Sequence, residues 1–149
     1  MSKTKPATRL LLLGCCLLAG GLFAQPAMTE GDAVYEVHPI GWVRKNDDRT
    51  FIEVNRQYQP ALLGVEELEE IWVLYWFDRN DTPQQRAILQ VHPRGNPANP
   101  LRGVFATRAP VRPNLIALSR CRVISVHDNL IEIEEIDAFP DTPVLDIKP

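Results

Sequence analysis

The sequence predicts a mainly β protein: a small single-domain β-barrel of about eight strands with little helix, preceded by a signal segment. Three observations carry this expectation. After residue 30 the chain divides into short apolar runs separated by Pro, Gly and Asn clusters, the punctuation of strands and turns. Ile71 to Phe77 is an unbroken apolar run, which fits a strand covered on both faces and therefore central. Many short strands with little helix are best protected by closure, because a barrel has no exposed edges.

The leader comes first. Lys3, Lys5 and Arg9 make a basic start, an apolar run follows from Leu10 to Ala24, and no acidic residue occurs before Glu30. A run of about 15 residues falls short of the roughly 20 that span a bilayer core, and it gives way to Gln25 and Pro26 without a basic flank. Residues 1–27 therefore read as a secretory signal segment cleaved after Ala24 or Ala27, and residues 31–149 as the domain. The expected location is periplasmic or extracellular. The alternatives are a lipid anchor at Cys15 within Leu12-Leu13-Gly14-Cys15, or a cytoplasmic protein begun at Met28.

Within the domain, Val34 to Val43 reads as a first strand whose Pro39 suggests an edge or bulge, and Phe51 to Val54 as a short second one. The acidic Val65 to Glu70 supplies a helical turn ahead of the Ile71–Phe77 strand. Ile88–Val91 and Gly103–Thr107 are two further short strands, and Leu115–Val126 is a longer one. Asp128-Asn129 makes a hairpin turn into a return strand with Leu130, Ile131, Ile133 and Ile136, and Val144–Ile147 closes the domain. Cys121, alone once Cys15 and Cys16 leave with the leader, reads as a small buried apolar residue.

Charge is segregated along the chain. Between Asp81 and Asp128 there is no carboxylate but there are seven arginines and His92, whereas the formal net charge of −3 for the whole chain becomes −6 once Lys3, Lys5 and Arg9 are gone. Such a domain is no generic polyanion binder. Arg120 and Arg122, at period two, read as the solvated face of a strand. The proline-rich stretch His92 to Asn114 is different, because rigid loops that present planar guanidinium forks suit a phosphate or carboxylate. His38, His92 and His127 are scattered without ligand spacing, so no metal site is expected.

Gly103-Val104-Phe105-Ala106-Thr107-Arg108 followed by Arg112-Pro113-Asn114 resembles the signature of the TrmO-like (TsaA-like) family of S-adenosylmethionine-dependent tRNA adenosine N6-methyltransferases. Pro39-Ile40-Gly41-Trp42-Val43, Leu63-Gly64-Val65-Glu66 leading into Ile71-Trp72-Val73-Leu74, and Asp137 with Thr142 to Pro149 follow in the family's order. The resemblance implies a β-barrel, usually a homodimer, that binds S-adenosylmethionine and methylates N6 of a threonylcarbamoylated adenosine beside the tRNA anticodon. Carried over by position, Arg108 would contact the cofactor, Leu118 would line its pocket, and Asp137, Asp141 and Thr142 would form a closing loop. Asp78 and Arg79 occupy the family's pair after the central strand, where His-Gln is common, and Asp141 stands where a Gly is common. Arg112 and Asn114 would either orient the acceptor base or phosphate or only brace their loop. The alternative function is an exported, non-catalytic binding or structural module.

Overall fold

The computed structural model describes residues 33–149, so the leader expectations lie outside the described residues. The fold is built from residues 36–149. Its strands are β1 (Gly41–Asn46), β2 (Arg49–Val54), β3 (Glu70–Trp76), β4 (Gln90–Val91), β5 (Arg102–Gly103), β6 (Ile116–His127), β7 (Leu130–Ile133) and β8 (Pro143–Lys148). Eight strands were expected and eight are found among the described residues, but the barrel uses only six, in the closed order β1-β2-β7-β6-β3-β8, while β4 and β5 pair with each other. Among the described residues, helix is limited to one α-turn at Pro83–Arg86 and a few 3-10 turns, among them Val65–Glu67.

Inward side chains alternate with outward ones, as a half-buried barrel wall requires. Val43, Ile52, Val54, Ile71, Val73, Tyr75, Ala117, Cys121, Ile131, Ile133 and Val144 fill the interior. Cys121 is buried there, as its neighbours suggested, and desolvation pushes its thiol up to about 11, with the Glu135 charge adding to the effect. Asp47 and Asp128 turn the two tight hairpins with positive φ, at 49° and 54°, a conformation that short polar residues tolerate. Gly41 sits where β1 meets both β2 and β8. A Cβ there would lie 2.4 Å from the Glu53 carbonyl oxygen, so this position admits only glycine.

Four features differ most from the sequence expectation, while Ile88–Val91 shortens to β4 (Gln90–Val91). The first strand is not Val34–Val43: residues 33–40 are irregular, and β1 runs on through the polar Arg44-Lys45-Asn46, where antiparallel pairing with β2 supplies the order. Ile71–Phe77 is not covered on both faces, since Trp72, Leu74 and Trp76 point outward half-buried. Gly103–Thr107 is not a strand beyond Gly103: Val104–Ala106 is a 3-10 turn closed by the Thr107 hydroxyl, which donates to the Val104 carbonyl at 3.0 Å. Ile136 is buried but lies beyond β7, which ends at Ile133.

Candidate functional site

Antiparallel pairing decides where the loops converge. β3 lies between β6 and β8, with Tyr75 opposite both Ala117 and Val144, so the end of β3 and the starts of β6 and β8 share one rim of the barrel. Three connections therefore meet there: Phe77–Asp81 after β3, Val104–Leu115 before β6, and Glu134–Thr142 before β8. They enclose a cleft of about 440 Å³, within the roughly 300–1,000 Å³ usual for small-molecule sites.

Of the predicted site residues, Asp78, Arg79, Arg108, Arg112, Leu118, Asp137 and Thr142 all line this cleft. Arg108 donates from Nη1 to the Leu118 carbonyl at 3.0 Å, which fixes the guanidinium at the wall while the rest of its fork stays available. It makes no ion pair among the described residues, and neither do Asp78 or Asp137. The exposed side chains of Ile116 and Leu118, two residues apart and so on the same face of β6, give the cleft an apolar wall.

The other predicted residues play different parts. Arg112 lines the cleft, but its guanidinium is committed to the carbonyls of Val104 at 3.1 Å and of Thr107 and Ile116 at 3.4 Å, so it braces the loop from within. Arg86 braces the same loop from outside through the Pro113 carbonyl at 2.7 Å. Asn114 is exposed and does not reach the cleft. Asp141 also lies off the cleft: its carboxylate pairs with Arg44, which in turn holds Glu53 at 2.6 Å. Its φ of 64° explains why a glycine suits this position, and the Arg44 pair helps hold an aspartate there.

Of the cleft residues that sequence reasoning missed, Tyr75 and Phe139 matter most, because they hold the loops in place. Tyr75 was read only as part of an apolar strand, yet its buried hydroxyl donates to the Asp137 carbonyl at 2.7 Å and meets Ser119 Oγ at 3.2 Å. Burial pushes its phenol above the usual tyrosine value. Phe139 lies under the Arg79 guanidinium, 3.9 Å from the ring centroid, joining the closing loop to the turn after β3. An inward Tyr among Ile and Val was the available signal for the first, because a buried hydroxyl requires a partner. Among the described residues, no group of three or more His, Cys, Asp or Glu side chains is placed to hold a metal ion.

Comparison with known proteins agrees with this architecture. The family model of the tRNA-methyltransferase O N-terminal domain matches residues 36–149. A probable S-adenosyl-L-methionine-binding protein of Methanocaldococcus jannaschii is 44% identical over 115 residues, covering 77% of this chain and 91% of that protein. A tRNA (adenine(37)-N6)-methyltransferase of Rattus norvegicus is 31% identical over 145 residues, covering 85% of this chain and 32% of its own length. A crystal structure of TrmO superposes with a TM-score of 0.60 at 30% identity, covering 78% of this chain and 57% of that one. The chain thus spans most of the archaeal protein, but a third of the rat enzyme and just over half of TrmO.

Proposed function

Since the chain belongs to the family of the tRNA-methyltransferase O N-terminal domain, we propose that its cleft binds S-adenosylmethionine and that the domain transfers the methyl group to N6 of an adenosine in tRNA. The observation that carries the proposal is convergence. Arg108, Leu118, Asp78 and the Asp137–Thr142 loop come from four separate segments and line one cleft of fitting size. The donor set matches the cofactor's chemistry. An unpaired guanidinium suits the methionine carboxylate, unpaired carboxylates suit the amine and ribose hydroxyls, and the Ile116–Leu118 wall suits the adenine.

When bound, S-adenosylmethionine supplies an electrophilic methyl group on a positively charged sulfur. The protein's part is to position donor and acceptor, since an adenine N6 nucleophile needs alignment rather than covalent help. Arg108, fixed by its hydrogen bond to the Leu118 carbonyl, would hold the carboxylate end. The closing loop is fixed on two sides: Tyr75 holds the Asp137 carbonyl, and β1 binds the far end through Asp141 N to Val43 O at 2.8 Å and Val43 N to Thr142 O at 2.9 Å. Loop 104–114, braced by Arg112 and Arg86, supplies the stationary wall. Preorganisation of this kind lowers the cost of ordering at the moment of reaction.

The test is methyl transfer from radiolabelled S-adenosylmethionine to tRNA. Label is expected at an adenosine N6, and cofactor binding without any transfer would instead support the exported, non-catalytic module. That second reading is favoured by the leader and by Asp78-Arg79 standing in the pair after the central strand. Homodimerisation belongs to the same proposal and is supported by the exposed apolar side chain of Ile124, outward on β6 and outside the cleft. Sedimentation at a single-chain mass would refute it.

A further inference from the structure

We propose that the groove beside the cofactor cleft seats the phosphodiester backbone of the RNA acceptor, gripped by Arg94 and Arg102; this rests on the reading of the cleft given above. The groove measures about 930 Å³ and lies between the His92–Pro97 loop and the Ala106–Val111 segment. It shares Arg108, Pro110 and Asp137 with the cleft, so a chain lying in it leads directly to the cofactor. Asp137, on that shared rim, is the one carboxylate among its lining residues.

Arg94, Arg102 and Arg108 line this groove with no carboxylate partner among the described residues; Arg56 and Arg122 are equally unpaired but lie outside it. Arg44, Arg49, Arg86 and Arg120 each face a carboxylate, whereas Arg94 and Arg102 make neither an ion pair nor a side-chain hydrogen bond among the described residues. They are not simply floppy solvated tails at the backbone level. Arg94 and Gly95 adopt φ of 59° and 65°, a conformation that is costly for arginine unless the surroundings impose it. His92 Nδ1 meets the Asn99 carbonyl at 2.7 Å, and Asn99 Nδ2 donates to the Pro93 carbonyl at 2.8 Å, so the loop is closed on itself. The β4–β5 ladder then sets Arg102 opposite Val91, at the base of the same loop.

S-adenosylmethionine carries no phosphate, and its one carboxylate is already matched to Arg108, so the charge of Arg94 and Arg102 is left for another ligand. The acceptor carries one phosphate per nucleotide. A domain of net negative charge must present a local cationic surface to such a polyanion, and the carboxylate-free interval from Asp81 to Asp128 supplies it.

The experiment uses the full chain and a fluorescent anticodon stem-loop RNA, followed by anisotropy across a salt series. Combining Arg94→Ala with Arg102→Ala should weaken RNA binding about tenfold or more and flatten the slope of log K against log salt by about 1.4, roughly 0.7 for each lost phosphate contact to a single strand. Arg122→Ala removes one positive charge, half that of the double variant, from an exposed site on β6 away from the groove, and should change affinity less than about twofold. S-adenosylmethionine binding, measured in parallel by calorimetry, should be unchanged by the double substitution. Unaltered RNA affinity in the double variant, an equal loss with Arg122→Ala, or no RNA binding by the native chain would overturn the proposal. So would a matching loss of S-adenosylmethionine affinity, which would make the groove part of the cofactor site. Failure of the native chain to bind S-adenosylmethionine refutes the function above and leaves the RNA measurement to judge the groove separately.

Discussion

Replacing Tyr75 by Phe removes one oxygen and keeps the ring, so it isolates what the hydroxyl does for the closing loop. That hydroxyl is buried, 2.7 Å from the Asp137 carbonyl and 3.2 Å from Ser119 Oγ. Losing the donor forfeits a net hydrogen bond of about 1 kcal/mol and leaves a partly desolvated carbonyl, together about 1–2 kcal/mol. For a domain of this size that corresponds to a fall in Tm of roughly 4–8 °C. Urea denaturation should show a lower midpoint with an unchanged m value, because the barrel remains intact. The loop also loses its attachment to β3, so S-adenosylmethionine must order it on binding, and its affinity should fall about five- to tenfold. Ser119→Ala should cost less, since it removes the longer contact. Stability and affinity both equal to the native protein, or a loss of stability with affinity untouched, would refute the assignment of Tyr75 as the loop's anchor.

Other substitutions probe other parts of the account. Arg108→Ala should abolish most S-adenosylmethionine binding with little change in Tm, because the residue is exposed at the rim; calorimetry showing full affinity would mean that another group anchors the cofactor. Gly41→Ala should destabilise the barrel by at least about 2 kcal/mol, since its Cβ would press on the Glu53 carbonyl at 2.4 Å, and a native-like urea midpoint would contradict the close strand approach. Acid should unfold the protein in part through Asp81 and Glu132, whose carboxyls are held below their usual range by hydrogen bonds from Arg86 and Arg49. Both favour the fold while ionised, so their contribution is present above the unfolded carboxylate range and disappears as pH falls through their depressed folded values. Glu132→Gln should flatten that part of the Tm–pH curve, and a superimposable curve would show that the Arg49 pair contributes nothing.

The fold was legible where periodicity and turn chemistry agreed. Ile71, Val73 and Tyr75 alternate inward as a strand demands, and Asp128-Asn129 turns where the apolar runs break. It was not legible at Arg44-Lys45-Asn46, whose polarity resembles a loop although pairing across the hairpin makes it strand. Nor was it legible at Val104–Thr107, where a side-chain hydroxyl and the Arg112 fork satisfy carbonyls that a ladder would otherwise take. The cleft came from family resemblance rather than composition, because its members lie up to 67 positions apart, from Tyr75 to Thr142, and meet only through the β6-β3-β8 order. Asp141 shows the limit of positional transfer: it keeps its place in the loop, but its positive φ and Arg44 turn the carboxylate away from the ligand side.

The central claim is that this cleft is a cofactor site, and titration calorimetry of the full chain with S-adenosylmethionine tests it most directly. The account predicts saturable binding at one site per chain, lost in large part with Arg108→Ala. Absence of any binding heat up to millimolar cofactor would contradict it.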